Sequence, residues 1–333
     1  MLINQDAACL IIAEIGLNHN GNYELAKKSI IAAAKAGADA VKFQNFLTED
    51  FLSDRSILHT YKVGDKEIIE PLFDICKRSE FKLEWMSDLI HTCDELGIIF
   101  LSTPTSESGV DDLIKHGVKY IKNGSDYLSH LPLLEYMAST DATIIISTGM
   151  AYQEEIDDAV NVILSIQPDK SKLIILHCTS SYPTSPENVN LNKIKTLQER
   201  YQVPIGFSDH TEGWESAVQA VTLGAKVLEK HFTLDKNFIG PDHWFSSDYD
   251  EFKALVKEVR LAESRMGESL LKPANSEINL SKQWKLGLVW AKNVKAGFNI
   301  TAQDIAIRKP AAELRPKDLN LVIGSQTLRN CKK

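Results

Sequence analysis

The chain has 333 residues, of which 44% are hydrophobic and 25% charged, close to the averages of globular proteins. Its net charge of −8 argues against a nucleic-acid-binding face, which needs clustered basic residues. The five cysteines have neither a metal-binding nor a disulfide spacing. Glu14 interrupts the N-terminal apolar run, so that run is neither a signal peptide nor a membrane span. We therefore expect a cytoplasmic protein with no nucleic-acid or membrane partner.

Short apolar runs alternate with longer amphipathic stretches along most of the chain. The runs typical of buried strands are 9–15, 39–43, 97–103, 118–122, 142–148, 172–178, 203–208 and 225–232. The stretches typical of helices are 22–36, 82–96, 106–116, 131–139, 152–165, 188–200, 213–223 and 248–265. Eight such cycles predict a (β/α)8 TIM barrel, which usually takes about 250 residues. A doubly wound open sheet is less favoured because the first turn lacks the GxGxxG pattern.

Three segments fall outside this alternation. The stretch 46–81 is longer than a simple loop and predicts a lid or a hairpin over the barrel mouth. We predict a barrel over 1–266, a linker over 267–281, and a small β-rich domain over 282–333 that is too short to have much core of its own.

Polar residues gather where the predicted strands end, which is where the active sites of barrels are built. They are Glu14, Lys42, Gln44, Thr103, Lys122, Ser125, Ser147, Tyr182, Ser208, His210, His231 and Asp242. A single Ser or Thr at such a position is as readily a helix N-cap. Polar residues at every strand end are harder to explain by capping and indicate a functional site.

Lys42 and Lys122 each end an apolar run. A lysine at such a position either extends to solvent or clamps a phosphate or carboxylate. Glu14 closes the first strand and is a candidate general base, with an ion pair to Lys42 as the structural alternative.

His210 and His231 end consecutive predicted strands, so their imidazoles could share one metal ion. Ordinary hydrogen bonds are the alternative for two such histidines. Asp209 and Asp242 nearby favour the metal, with Mn²⁺, Zn²⁺, Fe²⁺ and Co²⁺ all open at this point. Such a site would act as a Lewis acid on a carbonyl group.

Nine short motifs in fixed order give the chain a family resemblance. They are IIAEIGLNHNG (11–21), GADAVKFQ (37–44), FLSTP (100–104), KNGS (122–125), STGM (147–150), LHCTSSYP (176–183), GFSDHT (206–211), EKHFT (229–233) and GPDH (240–243). Together they resemble the sialic acid synthase family, which includes N-acetylneuraminate, legionaminate and pseudaminate synthases. The resemblance runs from about residue 10 to residue 330.

The resemblance implies a (β/α)8 barrel followed by an antifreeze-like (SAF) domain, in a homodimer where each small domain covers the partner's barrel. It implies a nonulosonic acid synthase that condenses phosphoenolpyruvate with an open-chain N-acyl amino sugar. It implies a divalent metal on His210 and His231, usually Mn²⁺, with Mg²⁺ or Co²⁺ as alternatives. Phosphoenolpyruvate would bind to Lys42, Thr103, Lys122, Ser125, Ser147 and Ser208. The sugar would contact Gln44, Tyr182, Asp242 and Lys309, and Glu14 would act on the attacking water.

The chain departs from the family pattern on the sugar side. Tyr127 stands where relatives often carry Glu, Ser180 where Asn is common, and Lys309 in place of an arginine. Lysine lacks the two-pronged fork of arginine, so we expect that N-acetylmannosamine is not the best substrate. The chain ends at CKK, where the small domain of relatives continues, so we also expect that domain to be incomplete.

Two other functions stay open at this stage. One is a phosphoenolpyruvate-dependent 3-deoxy-ulosonate synthase acting on a phosphorylated aldose, which would need further basic residues. The other is a catalytically inactive barrel that only binds ligands. The presence of Glu14, both lysines and both histidines argues against the second.

Overall fold

The computed structural model describes residues 8–310 and 312–333. The chain divides into two compact units, Met1–Gly267 and Glu268–Lys333. No helix in the described ranges is long and apolar enough to cross a membrane.

The strands and helices follow in alternation, as the apolar pattern predicts. The strands are β1 Leu10–Gly16, β2 Ala40–Asn45, β3 Leu58–Val63, β4 Lys66–Pro71, β5 Ile99–Pro104, β6 Tyr120–Asn123, β7 Thr143–Ser147, β8 Leu173–Cys178, β9 Ile205–Asp209, β10 Val227–His231, β11 Gly287–Trp290 and β12 Ile305–Arg308. The helices are α1 Tyr23–Ala36, α2 Thr48–Phe51, α3 Leu72–Arg78, α4 Met86–Leu96, α5 Glu107–Lys115, α6 Leu131–Ala138, α7 Gln153–Ile166, α8 Asn192–Tyr201, α9 Glu215–Thr222, α10 Tyr249–Met266, α11 Ile278–Trp284 and α12 Leu319–Val322.

Eight parallel strands close into a barrel in the order β1-β10-β9-β8-β7-β6-β5-β2. The predicted (β/α)8 barrel is confirmed. Closure joins the first and last barrel strands, so Glu14 on β1 lies beside Lys42 on one side and His231 on the other.

Side chains on each barrel strand alternate between the lumen and the surrounding helices. Ile11, Ala13 and Ile15 belong to the core between strands and helices. Leu10 and Ile12 belong to the separate cluster inside the lumen. The next residue in the lumen-facing series is Glu14, so the same period of two that buries the apolar residues delivers a carboxylate to the mouth.

The helices begin and end at capping residues. The Asn22 side chain accepts a hydrogen bond from the Leu25 amide at the start of α1, and Gly37 follows its end with φ 99°. Helix α10 begins with a capping box in which Asp248 and Glu251 accept each other's amide hydrogens at 3.0 and 3.1 Å.

The segment between β2 and α4 forms two short helices and the antiparallel hairpin β3–β4, in agreement with the predicted lid or hairpin. The second unit has a two-stranded antiparallel sheet, β11 with β12, and a few buried apolar residues such as Leu288, Val294 and Ile300. Its assignment as an antifreeze-like domain and the boundaries at 266 and 281 stay predictions.

Candidate active site

A cavity of about 440 Å³ opens at the carboxyl ends of the barrel strands. Its size is in the range of about 300–1,000 Å³ that small-molecule sites occupy. Most of the residues predicted from the sequence line it, namely Glu14, Lys42, Gln44, Thr103, Lys122, Ser125, Ser147, Tyr182, Ser208, His210 and His231. The structure thus brings together side chains that eight separate strands or their following loops supply.

Two buried lysines line the cavity. The Lys42 ammonium donates to the Thr103 hydroxyl at 3.1 Å, and the Lys122 ammonium donates to the Ser147 hydroxyl at 2.6 Å. Burial lowers the pKa of Lys122 below its usual value. Burial also acts to lower the pKa of Lys42, but nearby carboxylates outweigh it and raise that pKa. Buried ammonium groups beside hydroxyls are suited to hold an anionic ligand.

The buried carboxylate of Glu229 lies between the two lysines. One of its oxygens is 3.9 Å from the Lys42 ammonium and the other 3.9 Å from the Lys122 ammonium, and Ser208 donates to it at 3.0 Å. Burial would raise the pKa of Glu229, but the two ammonium groups lower it below its usual value. Glu229 therefore balances the lysines with a negative charge inside the barrel.

Glu14 occupies the adjacent position on the lumen wall and is almost fully buried. One carboxylate oxygen lies 2.8 Å from the Lys42 ammonium, and the other accepts from the Gln44 amide at 2.8 Å. The ion pair weighed as the structural alternative is therefore present. Burial raises the pKa of Glu14 above its usual value even though Lys42 opposes this, which is typical of a carboxyl group that can exchange protons.

The two predicted metal ligands face each other across neighbouring strands. The imidazole centroids of His210 and His231 are 5.4 Å apart, and the Tyr182 ring lies 4.2 Å from that of His210. His210 Nδ1 lies 2.8 Å from the Thr179 carbonyl oxygen, which can only accept, so Nδ1 carries the proton. Its Nε2, which lies 3.5 Å from the Ser208 hydroxyl, then carries the lone pair that would bind a metal, in the arrangement usual for histidine ligands.

The donor set around these histidines fits a divalent metal. His231 Nδ1 is buried without a hydrogen bond and lies 3.8 Å from an Asp242 oxygen. Burial raises the pKa of Asp242 to about 7. Among the described residues, no set of three or more His, Cys, Asp or Glu side chains forms a complete metal site. Two imidazoles would thus leave coordination positions open for water or substrate.

The family model described as the NeuB family matches residues 29–270 of the chain. The chain belongs to the NeuB family. It is 36% identical to the N,N'-diacetyllegionaminic acid synthase of Legionella pneumophila, over 97% of the chain and 91% of that protein. It is 40% identical to the uncharacterised protein MJ1065 of Methanocaldococcus jannaschii, over 94% of the chain and 88% of that protein.

A solved structure with this fold is similar to the present NeuB-family chain. It is the N-acetylneuraminic acid synthetase of Leptospira borgpetersenii in complex with citrate, with a TM-score of 0.74 and 33% identity over 82% of this chain and 90% of that one. Several curated relatives of this NeuB-family chain, 32–36% identical to it, are named as synthases of legionaminic, pseudaminic or N-acetylneuraminate-type acids.

Glu229 is the main site residue that the sequence analysis of this NeuB-family chain missed. The signal was available, because Val227, Glu229 and His231 alternate on β10 and only the first is apolar. The expectation that Asp209 lies with the two histidines was wrong. Asp209 falls between Ser208 and His210 in the alternation, so it faces the opposite side of the strand and pairs with Lys230.

Two predicted sugar contacts lie outside the group that lines the cavity. Asp242 lies on the loop after β10, beside His231. Lys309 belongs to the second unit, where its ammonium lies 4.6 Å from the centre of the Trp284 ring. The roles of both residues in this NeuB-family protein stay predictions.

Proposed function

We propose that this NeuB-family protein condenses phosphoenolpyruvate with the open-chain form of an N-acyl amino sugar. The products would be a 2-keto-3-deoxy nonulosonic acid and inorganic phosphate. One observation supports the proposal above all. The same cavity is lined by two buried lysines, by Glu14, whose pKa is raised, and by the neighbouring imidazoles of His210 and His231.

The two buried lysines of the cavity are suited to bind phosphoenolpyruvate. Lys42 and Lys122 would hold its phosphate and carboxylate, with hydroxyl donors from Thr103, Ser125, Ser147 and Ser208. Ser125 is held in place because its hydroxyl oxygen accepts the Gly149 amide hydrogen at 3.0 Å. Fixed donors in a buried site stabilise charge without having to reorganise.

The chemistry follows from where each group lies. A divalent metal on His210 and His231, for which we propose Mn²⁺, would supply the Lewis acidity that polarises the sugar aldehyde. The C3 carbon of phosphoenolpyruvate forms a bond to the aldehyde carbon, and positive charge develops at C2. Glu14 takes a proton from the water that adds to C2. Glu14 gives that proton to the alkoxide that forms from the aldehyde oxygen. The C2–O bond to phosphate then breaks as the new C2 hydroxyl becomes a carbonyl group, its proton leaves with the phosphate, and the lysines stabilise the departing anion.

A set of apolar residues that line the cavity, here called the apolar wall, indicates the class of sugar. It is formed by Leu17, Phe46, Phe51, Leu72 and Cys76. Such a wall favours a 2,4-diacetamido hexose, whose extra acetyl methyl group can be buried there, over N-acetylmannosamine. Within the first unit, the basic residues among those lining the cavity are Lys42, Lys122, His210 and His231. The lysines are assigned to phosphoenolpyruvate and the histidines to the metal. No further basic side chain of this set is left to bind the phosphate of a phosphorylated aldose, which disfavours that substrate.

Release of phosphate from phosphoenolpyruvate with Mn²⁺ tests this function. The panel would contain N-acetylmannosamine, 2,4-diacetamido hexoses and phosphorylated aldoses, each with and without chelator. Chelator-sensitive release with an unphosphorylated N-acyl sugar is expected. Release only with a phosphorylated aldose would contradict the proposal in favour of a 3-deoxy-ulosonate synthase.

We also propose the domain-swapped homodimer that the family resemblance implies, which light scattering would test.

A further inference from the structure

The residues that directly precede the two site histidines form a buried ion pair. The Lys230 ammonium lies 2.9 Å from Asp209 Oδ2, and the two residues are 3% and 1% exposed. They are partners in the register between β9 and β10. Because side chains alternate along a strand, this pair lies on the helix-facing side while His210 and His231 point to the cavity.

The same pair also holds the residue after His210. Asp209 Oδ1 accepts the amide hydrogen of Thr211 at 2.9 Å and its hydroxyl hydrogen at 2.7 Å. The Lys230 ammonium donates to the Thr211 carbonyl oxygen. Lys230 therefore contacts the residues on both sides of His210, namely the Asp209 carboxylate and the Thr211 carbonyl oxygen. Lys230 itself directly precedes His231 in the chain.

We propose that Asp209 and Lys230 are a positioning pair that sets the separation and orientation of the His210 and His231 imidazoles. This inference rests on the proposed function, in which the two imidazoles hold a metal. A buried ion pair is often no more stabilising than apolar residues of the same volume. Its contribution here is geometric, since it locks together the strand ends that carry the two rings, and metal sites tolerate displacements of only about 0.5 Å.

The test uses Lys230→Met, Asp209→Asn and the double variant in the full-length protein. Mn²⁺ affinity would be measured from the free-ion signal in electron paramagnetic resonance. We expect a loss of affinity of about 10- to 100-fold, the range seen when residues supporting metal ligands are changed. The double variant should lose no more than the worse single variant because the pair acts as one unit. Excess Mn²⁺ should restore kcat.

The matched control is Arg260→Met, which breaks an ion pair with Asp39 near the start of β2, far along the barrel strands from the histidines. It should lower the melting temperature and leave Mn²⁺ affinity unchanged. Unaltered affinity in Lys230→Met would overturn the positioning role and leave only a structural one. If Lys230→Met does not fold, Lys230→Arg and Asp209→Asn decide the question with smaller perturbations.

Crystal structures of the metal-free variants separate this inference from the proposed function. The imidazole centroids, 5.4 Å apart in the unaltered protein, should move or rotate in the variants. Rings that keep their separation and orientation overturn the inference whatever the metal data are. If the unaltered protein does not bind Mn²⁺, that result would instead count against the metal site of the proposed function. The separation and orientation of the two imidazoles would still decide whether Asp209 and Lys230 position them.

Discussion

The Glu14 carboxylate and the Lys42 ammonium lie 2.8 Å apart in the barrel lumen, on strands whose register puts the two residues side by side. Glu14 is 1% exposed and Lys42 is 3% exposed. A buried pair of this kind serves structure and chemistry together, because the lysine neutralises a carboxylate whose pKa burial raises.

Replacing Glu14 with Gln should abolish most of the activity and leave ligand binding largely intact. Glutamine keeps the shape but cannot take a proton, and general-base catalysis contributes about 10²–10⁴ in rate. We expect kcat to fall by at least about 10²-fold while the KM for phosphoenolpyruvate changes much less, as measured by phosphate release. Asp141→Asn, which removes an exposed ion pair with Lys172, is the control and should keep full activity. A kcat within a few-fold of the unaltered enzyme would exclude Glu14 as the base.

Replacing Lys122 with Met should weaken phosphoenolpyruvate binding. The ammonium donates to Ser147 at 2.6 Å, and methionine keeps the length but removes the charge. A hydrogen bond to a charged group contributes about 1.5–3 kcal/mol, so KM should rise by about 10- to 100-fold. Lys172→Met, at a lysine that pairs with the exposed Asp141, is the matched control. An unchanged affinity for phosphoenolpyruvate in isothermal titration would remove Lys122 from the anion site.

The apolar wall should control the choice of sugar. Leu72→Ser makes this wall polar at the first residue of α3 without touching the lysines or the histidines. An apolar group in a pocket is worth about 10- to 200-fold in discrimination. We expect the ratio of kcat/KM for a 2,4-diacetamido hexose to that for N-acetylmannosamine to fall by about 10-fold. Leu83→Ser, at an exposed leucine that does not line the cavity, is the control. An unchanged ratio would show that the wall does not select the sugar.

The contribution of two histidines that are buried in neutral form, His19 and His243, to stability should fall as the pH decreases below about 6.5. Burial lowers the pKa of both His19 and His243 to about 4, and Asp235 only partly opposes this for His243. The unfolded chain takes up these two protons at about pH 6.5, so the contribution of the two histidines is full above that value and is lost as the pH falls towards 4. Each histidine should contribute a loss of about 2 kcal/mol between pH 7 and pH 5.

His243→Gln isolates one of these contributions. Its Nδ1 lies 2.7 Å from the Thr233 hydroxyl, a contact that a glutamine amide can replace. Urea unfolding at fixed protein concentration would be followed by the fluorescence of the five tryptophans, one of which, Trp85, has its ring 5.8 Å from that of His19. The variant should lose about 2 kcal/mol less stability on acidification than the unaltered protein. Equal losses in the two proteins would mean that His243 is not kept neutral by the fold.

Much of the fold and many of the residues lining the cavity could be predicted from local pattern. The period of two along each strand marks which residues share a face, and polar residues continue the lumen-facing series of apolar ones at the mouth. The errors arose where this alternation was not applied. Asp209 was placed with the histidines because it is adjacent in sequence, whereas adjacency puts it on the opposite face. Glu229 was missed because it lies inside a strand and not at its end.

The sequence by itself determined the barrel, most of the predicted residues that line the cavity and the family. These depend on periodicity and on motifs that are local in the chain. Only the tertiary structure decided which charges meet: Glu14 with Lys42, Glu229 between two lysines, and Asp209 with Lys230. The physical reason is that closure and register join strands far apart in sequence, and the pKa of a buried group depends on the neighbours that this closure brings within a few ångströms.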